Sequence, residues 1–188
     1  LGNYLKKLSP LQASKITVAT KLAPYPWRIG RKGFVNAFKA SKERLGNKVD
    51  RLQLHWSTSR YAPWQEVSLI DGLGDLLEEG LISEIGLSNM GPNRLRWINS
   101  RLRERNIPIK SLQVQFSLLA PNPERQFKLL KLCKELNIDL LAYSPLALGV
   151  LAQDPEDINL RGTFLRKRIF QRLLHLLGPL LINSLRVI

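Results

Sequence analysis

Lys21 closes the β-branched run ITVATK, His55 and Trp56 close LQLHW, Ser88 and Asn89 close IGLSN, and Tyr143, Ser144, Pro145 and Leu146 follow DLLA. An ammonium, an imidazole, a hydroxyl beside an amide, and a phenol are groups that hold protons and orient polar ligands. Successive strands of a βα-repeat deliver such strand-end side chains to one rim, and in a parallel α/β barrel that rim is where chemistry is built. Each group also has a plainer explanation. Lys21 reads as a strand-end lysine meeting solvent, His55 as a satisfied core histidine and Trp56 as a packing tryptophan. Ser88-Asn89 reads as a cap for the helix that Pro92 opens. On the strand LQLHW, His55 shares a face with Gln53, while Leu52 and Leu54 take the other.

The elements that must position these groups alternate strand and helix. Strands are expected at Ile16–Thr20, Leu52–His55, Ile82–Leu87, Leu112–Phe116 and Asp139–Tyr143. Helices are expected at Gly33–Leu45, at Leu69–Glu79 with Gly80 as its stop, and from Pro92 to about Arg105. A fourth is expected after the cap Asn122-Pro123-Glu124, running to Leu136. A short helical fragment precedes them at the N-terminus. A loop to about Arg161 and two helices, Phe164–Leu177 and Pro179–Ile188, follow. The repeat unit of roughly 30 residues is that of a βα unit. An open dinucleotide-binding sheet would place a GxGxxG turn after an early strand. Here that turn is KLAPYPW, which favours the barrel. A full barrel takes about 250 residues, more than the 188 present.

Composition narrows the function further. One cysteine, Cys133, excludes an internal disulfide, and with two histidines it argues against a dedicated zinc site. No apolar run approaches the ~18 residues of a membrane-spanning helix, and LGNYLKKLSP lacks the organisation of a signal peptide. Leu1 in place of Met suggests a start further upstream. The net charge of +14 is spread along the chain. No recognition motif accompanies it, so no nucleic-acid partner is expected. The segment FLRKRIFQRLLHLL is basic and amphipathic. It reads as a barrel-covering helix with a solvated basic side, or alternatively as a binder of anionic membranes or nucleic acid.

Taken in order, ITVATK, VDRLQLHW, EEGLISEIGLSN, LQVQFSLL and LLAYSPLALGVL resemble the aldo-keto reductases over nearly the whole chain. ATKLAPYPWR is most similar to the branch common in cyanobacteria and plastids. The resemblance implies a single partial domain over residues 1–188: strands three to seven of a (β/α)8 barrel, without strands one, two and eight. It implies NADPH, or alternatively NADH, as cofactor and a small aldehyde or ketone as substrate. Hydride passes from the nicotinamide to the carbonyl carbon, and a tyrosine acidified by a neighbouring lysine protonates the oxygen. Lys21 matches that lysine, and His55 matches the histidine that orients the substrate. Trp56 matches a substrate-pocket aromatic. Ser88, Asn89 and Gln113 match the residues that hold the nicotinamide carboxamide. Tyr143 matches the ring that stacks on the nicotinamide, and Ser144, Pro145 and Leu146 begin the loop beside the pyrophosphate.

The match also has gaps. The family's aspartate and proton-donating tyrosine fall upstream of Leu1, and Tyr4, Tyr25 and Tyr61 have no motif supporting them as replacements. Arg51 stands where the family places an apolar residue. This chain alone is therefore expected to show little reductase activity. A catalytically inactive nicotinamide-binding relative or subunit is the alternative. Open sheet edges are expected to drive self-association. The compartment implied is the cytoplasm, or the plastid in a photosynthetic eukaryote.

Overall fold

The computed structural model describes residues 1–119 and 122–152. The helices expected over 164–177 and 179–188, and the loop from 153 onward, lie outside the described residues. The chain divides into two units. One holds Leu1–Phe116 with Ala120–Tyr143, and the other Ser117–Leu119 with Ser144–Ile188.

The first unit carries the sheet. Strands β1 (Ala19–Leu22), β2 (Arg51–Leu54), β3 (Glu84–Ser88), β4 (Ile109–Gln115) and β5 (Asp139–Tyr143) are ordered β1-β2-β3-β4-β5, every pair parallel. Each connection is a helix. α1 (Gly2–Leu5) and α2 (Pro10–Ser14) precede β1. α3 (Gly30–Arg44), α4 (Pro63–Glu78), α5 (Pro92–Arg103) and α6 (Pro123–Glu135) join successive strands. Strand order that never reverses is the order of a barrel wall, since a doubly wound sheet turns back at a switch point. The fold class is thus the one expected, a partial (β/α)8 barrel.

Local chemistry sets the helix ends. Proline stands in the first turn of α2, α4, α5 and α6, where its missing N–H costs nothing. Asn122 accepts from the Arg125 N–H at 2.9 Å and caps α6. Beyond the last turns of α3 to α6 come Gly46, Gly80, Asn106 and Asn137, all at positive φ. Glycine and asparagine tolerate that left-handed termination best.

The core lies between sheet and helices. Leu22, Leu52, Leu54, Ile85, Leu87 and Leu112 point from the strands into a layer with Phe34, Phe38, Leu69, Leu73, Leu95 and Ile98. The opposite sheet face bears Lys21, Gln53, Gly86 and Ser111 in register. The alternation expected for LQLHW is therefore present. In the second unit, Ala147–Ala152 forms a short 3-10 segment where a loop was expected.

Candidate functional site

The C-terminal ends of β1 to β5 gather the first-unit candidates. Lys21 is the third residue of β1 rather than its terminus, because pairing begins at Ala19 and continues to Leu22. Its side chain is exposed. His55 follows β2 directly, and its N–H donates to the Leu22 carbonyl at 3.1 Å, extending the ladder by one bond. Ser88 ends β3 fully buried, paired in register with Gln113 of β4. Tyr143 ends β5 opposite Gln115.

Asn89 joins three of these strand ends. Its Nδ2 donates to the His55 carbonyl and to Ser88 Oγ, both at 3.1 Å. Its Oδ1 accepts from the Tyr143 hydroxyl at 2.9 Å, and its backbone N–H donates to the Gln113 carbonyl at 2.9 Å. A φ of 56° suits the asparagine. The capping reading of Ser88-Asn89 fails, because the residue before α5 is Gly91 and no side chain caps that helix. The pair is instead bound into the rim.

Beneath the rim the inner sheet face is polar and tightly filled. A Cβ on Gly86 would lie 2.7 Å from Gln53 Cγ and 2.9 Å from Ser111 Oγ, so only glycine fits. Arg51, the departure in the sequence, is matched by Glu84 at the same level of β3. Its Nε donates to Glu84 Oε2 at 2.7 Å. A charge at this level is tolerated because its partner sits on the next strand.

An aromatic cluster flanks His55. The His55 and Trp56 rings lie 4.6 Å apart between centroids. Tyr25 meets Trp56 edge-on at 5.9 Å and stacks on Trp27 at 4.6 Å. Trp56 Nε1 donates to the Tyr61 hydroxyl at 2.8 Å, and Tyr61 donates to the Pro24 carbonyl at 3.3 Å. Tyr25 and Tyr61 thus brace Trp56, contacts that no sequence motif signals. Burial, and then the ammonium of Lys21, hold the His55 pKa below its usual value, so the imidazole is neutral at neutral pH.

Ser144, Pro145 and Leu146 belong to the second unit. There the Ala147 N–H donates to the Ser144 carbonyl at 3.0 Å, and Ser144, Ala147, Leu148 and Gly149 all have positive φ. Among the described residues no cluster of His, Cys, Asp and Glu could hold a metal, and no helix is long and apolar enough to cross a membrane.

A parallel β/α sheet with its polar candidates at the strand C-termini defines a barrel-type protein of the kind that works at that rim. The model of the Aldo/keto reductase family matches residues 1–172, and the chain belongs to that family. It is 44% identical over 187 residues to chloroplastic pyridoxal reductase of Arabidopsis thaliana, covering 97% of this chain and 50% of that protein. Versiconal hemiacetal acetate reductase of Aspergillus parasiticus is 31% identical over 126 residues, 66% of this chain and 35% of that protein. Among solved structures, the aldo-keto reductase MGS-M4 from a Medee basin deep-sea metagenome superposes with a TM-score of 0.64 at 26% identity. That match covers 82% of this chain and 54% of the other. AKR11C1 from Bacillus halodurans gives 0.62 at 28% identity, over 82% and 48%. The chain thus spans about half the length of these structures and of its Arabidopsis relative.

Proposed function

We propose that this protein is a NAD(P)H-dependent carbonyl reductase whose rim holds the nicotinamide carboxamide on Ser88, Asn89 and Gln113. It presents a small aldehyde or ketone to Lys21, His55 and Trp56. The observation that carries this reading is the hydrogen-bond chain from Tyr143 through Asn89 to His55. It binds together residues 34 and 54 positions apart in sequence. A carboxamide needs both donors and acceptors; the Gln113 amide and the remaining Asn89 Oδ1 lone pair offer both, and buried Ser88 holds Asn89 in place by accepting from its Nδ2. The residues therefore fit the group. When bound, the cofactor supplies hydride.

The chain's own residues bind and orient the substrate. Neutral His55 donates one N–H to the carbonyl oxygen and fixes its direction. The Lys21 ammonium stabilises the negative charge developing there. Trp56, braced by Tyr61 and Tyr25, walls one side of the substrate. Ser144, Pro145 and Leu146 contact the pyrophosphate, as the family resemblance implies. The Arabidopsis relative's name specifies pyridoxal, a flat aromatic aldehyde, and the Trp56–Tyr25–Trp27 cluster offers faces on which such a ring stacks. Pyridoxal is the aldehyde to try first, and NADPH the cofactor. The relative is named chloroplastic, so the plastid, or else the cytoplasm, is the proposed compartment.

Two measurements test the reading. Titrating NADPH into the 188-residue chain should quench tryptophan emission saturably, and Asn89→Ala should weaken binding about ten-fold. The native protein isolated from its source should oxidise NADPH in the presence of pyridoxal or a related aldehyde, and lose that activity with Lys21→Met. Absence of saturable quenching, or turnover indifferent to Lys21→Met, overturns the proposal.

A further inference from the structure

Beside Asn89 opens a cleft of about 700 Å³ that shares only this residue with the proposed reductase site. Ser57, Ser59 and Arg60 of the β2–α4 loop line one side, and Asn89 and Arg94 another. Arg125 of α6 reaches across from a third, its Nη2 lying 3.0 Å from where a Cβ on Gly91 would sit. No aspartate or glutamate is among the described residues that line it.

The cleft brings together three arginines, of which only Arg94 has a carboxylate partner among the described residues. Glu66, almost fully buried behind the wall, pairs with Arg94 at 3.2 Å. The Arg94 guanidinium also lies over the Trp97 ring, 4.7 Å from its centroid. Arg94 is therefore held in place before any ligand arrives. Arg60 and Arg125 form no ion pair among the described residues, which leaves about two positive charges uncompensated around one cavity. The first turn of α5 opens onto the same cavity. It has no side-chain cap and no acidic residue, so its free N–H groups and the positive end of its dipole add to the field. Ser59 supplies a hydroxyl donor, held in place by Ser57 Oγ, which donates to Ser59 Oγ at 2.8 Å. Planar guanidinium forks, a hydroxyl and a helix N-terminus converging on one cavity are the donor set of a phosphate site.

We propose that this cleft binds a phosphate group, anchored by Arg60 and Arg125 with Arg94 as a fixed third contact. The group is carried on a small organic monoester or arrives as free phosphate. The site does not depend on the reductase reading, because none of the three arginines belongs to the proposed catalytic set.

The test uses the full 188-residue chain at constant ionic strength, with inorganic phosphate and phenyl phosphate as probes against chloride. Binding is read by phosphorus NMR line broadening and by the rise in melting temperature. Saturable binding is expected, weakened about ten-fold by Arg60→Gln and again by Arg125→Gln. Arg103→Gln, at the far end of α5, should leave it unchanged. Tighter binding of phenyl phosphate than of phosphate identifies an organic monoester. Equal binding identifies the free ion. Either result supports the site. Non-saturable shifts, or equal loss with Arg103→Gln, mean that the protein's general positive charge attracts the anion, and the proposal falls. Should NADPH binding fail while phosphate binding persists, the reductase reading falls and this one stands.

Discussion

At the level of single residues, the site is a matter of which groups remain charged and which are tied down. His55 is held neutral by burial and by Lys21. A histidine whose folded pKa is depressed binds its proton more weakly in the native state than in the unfolded chain. Its contribution to stability is therefore complete above about 6.5 and is lost as pH falls through the lower folded value. An NMR titration of the His55 ring should place its midpoint below that of an unfolded control, and Lys21→Met should move it upward. A midpoint indifferent to Lys21→Met would show that the ammonium does not act on the ring. Asn89 offers a second check. Tyr143→Phe removes one donor to Asn89 Oδ1 and should cost about 0.5–1.5 kcal/mol. Asn89→Gly should preserve the backbone turn better than Asn89→Ala, because φ there is positive. Chemical denaturation of the three variants would rank them.

Elements show what the sequence could and could not disclose. From β1 to β5 their types were legible, because strand runs and helical periods alternate cleanly; the 3-10 segment at Ala147–Ala152 was not. The strand Asp139–Tyr143 has the bounds expected for it. At two of the bounds that moved, a polar contact sits at the shifted end. The β-branched run at 16–18 precedes the paired strand because Asp50 Oδ2 accepts the Val18 N–H at 2.6 Å, so a side chain occupies the place of a strand partner. Helix α4 begins at Pro63 rather than Leu69 because Glu66 is buried by pairing with Arg94, which apolar periodicity cannot register. Rim residues were found by family resemblance. The Tyr61 brace, the Arg51–Glu84 pair and the arginine cleft depend on residues brought together across loops and strands, and no local pattern encodes them. Two outcomes follow at this scale. Gly86→Ala should destabilise by about 1–3 kcal/mol, since its Cβ would press on both Gln53 and Ser111, and a denaturation midpoint checks it. Cys133 on α6 is buried, and burial pushes its thiol pKa up to about 11. It should resist a thiol reagent in the native protein at pH ~8 and react at once in denaturant.

For the molecule as a whole, two features oppose each other. Among the described residues β1 pairs only with β2 and β5 only with β4, so both outer strands present backbone donors and acceptors on one side. Such edges template pairing with another chain. Against this stands a net charge of +14, which makes two copies repel. The ion pairs on the helical layer, such as Arg101 with Asp71 and Arg105 with Asp75 and Glu78, neutralise only part of the excess. The balance must shift with ionic strength, because repulsion between whole molecules reaches across a Debye length while strand pairing does not. That length is about 30 Å at 0.01 M salt and about 8 Å at 0.15 M. We therefore expect the chain to scatter light near its 21.5 kDa monomer mass in dilute buffer and to associate progressively as salt is added. Replacing exposed Lys21 on the β1 edge by proline should weaken that association, since proline withholds a ladder donor. A mass that stays monomeric at every salt concentration would mean that the edges are already satisfied. Association that falls with salt would mean that opposite charges on two copies, and not strand edges, hold them together.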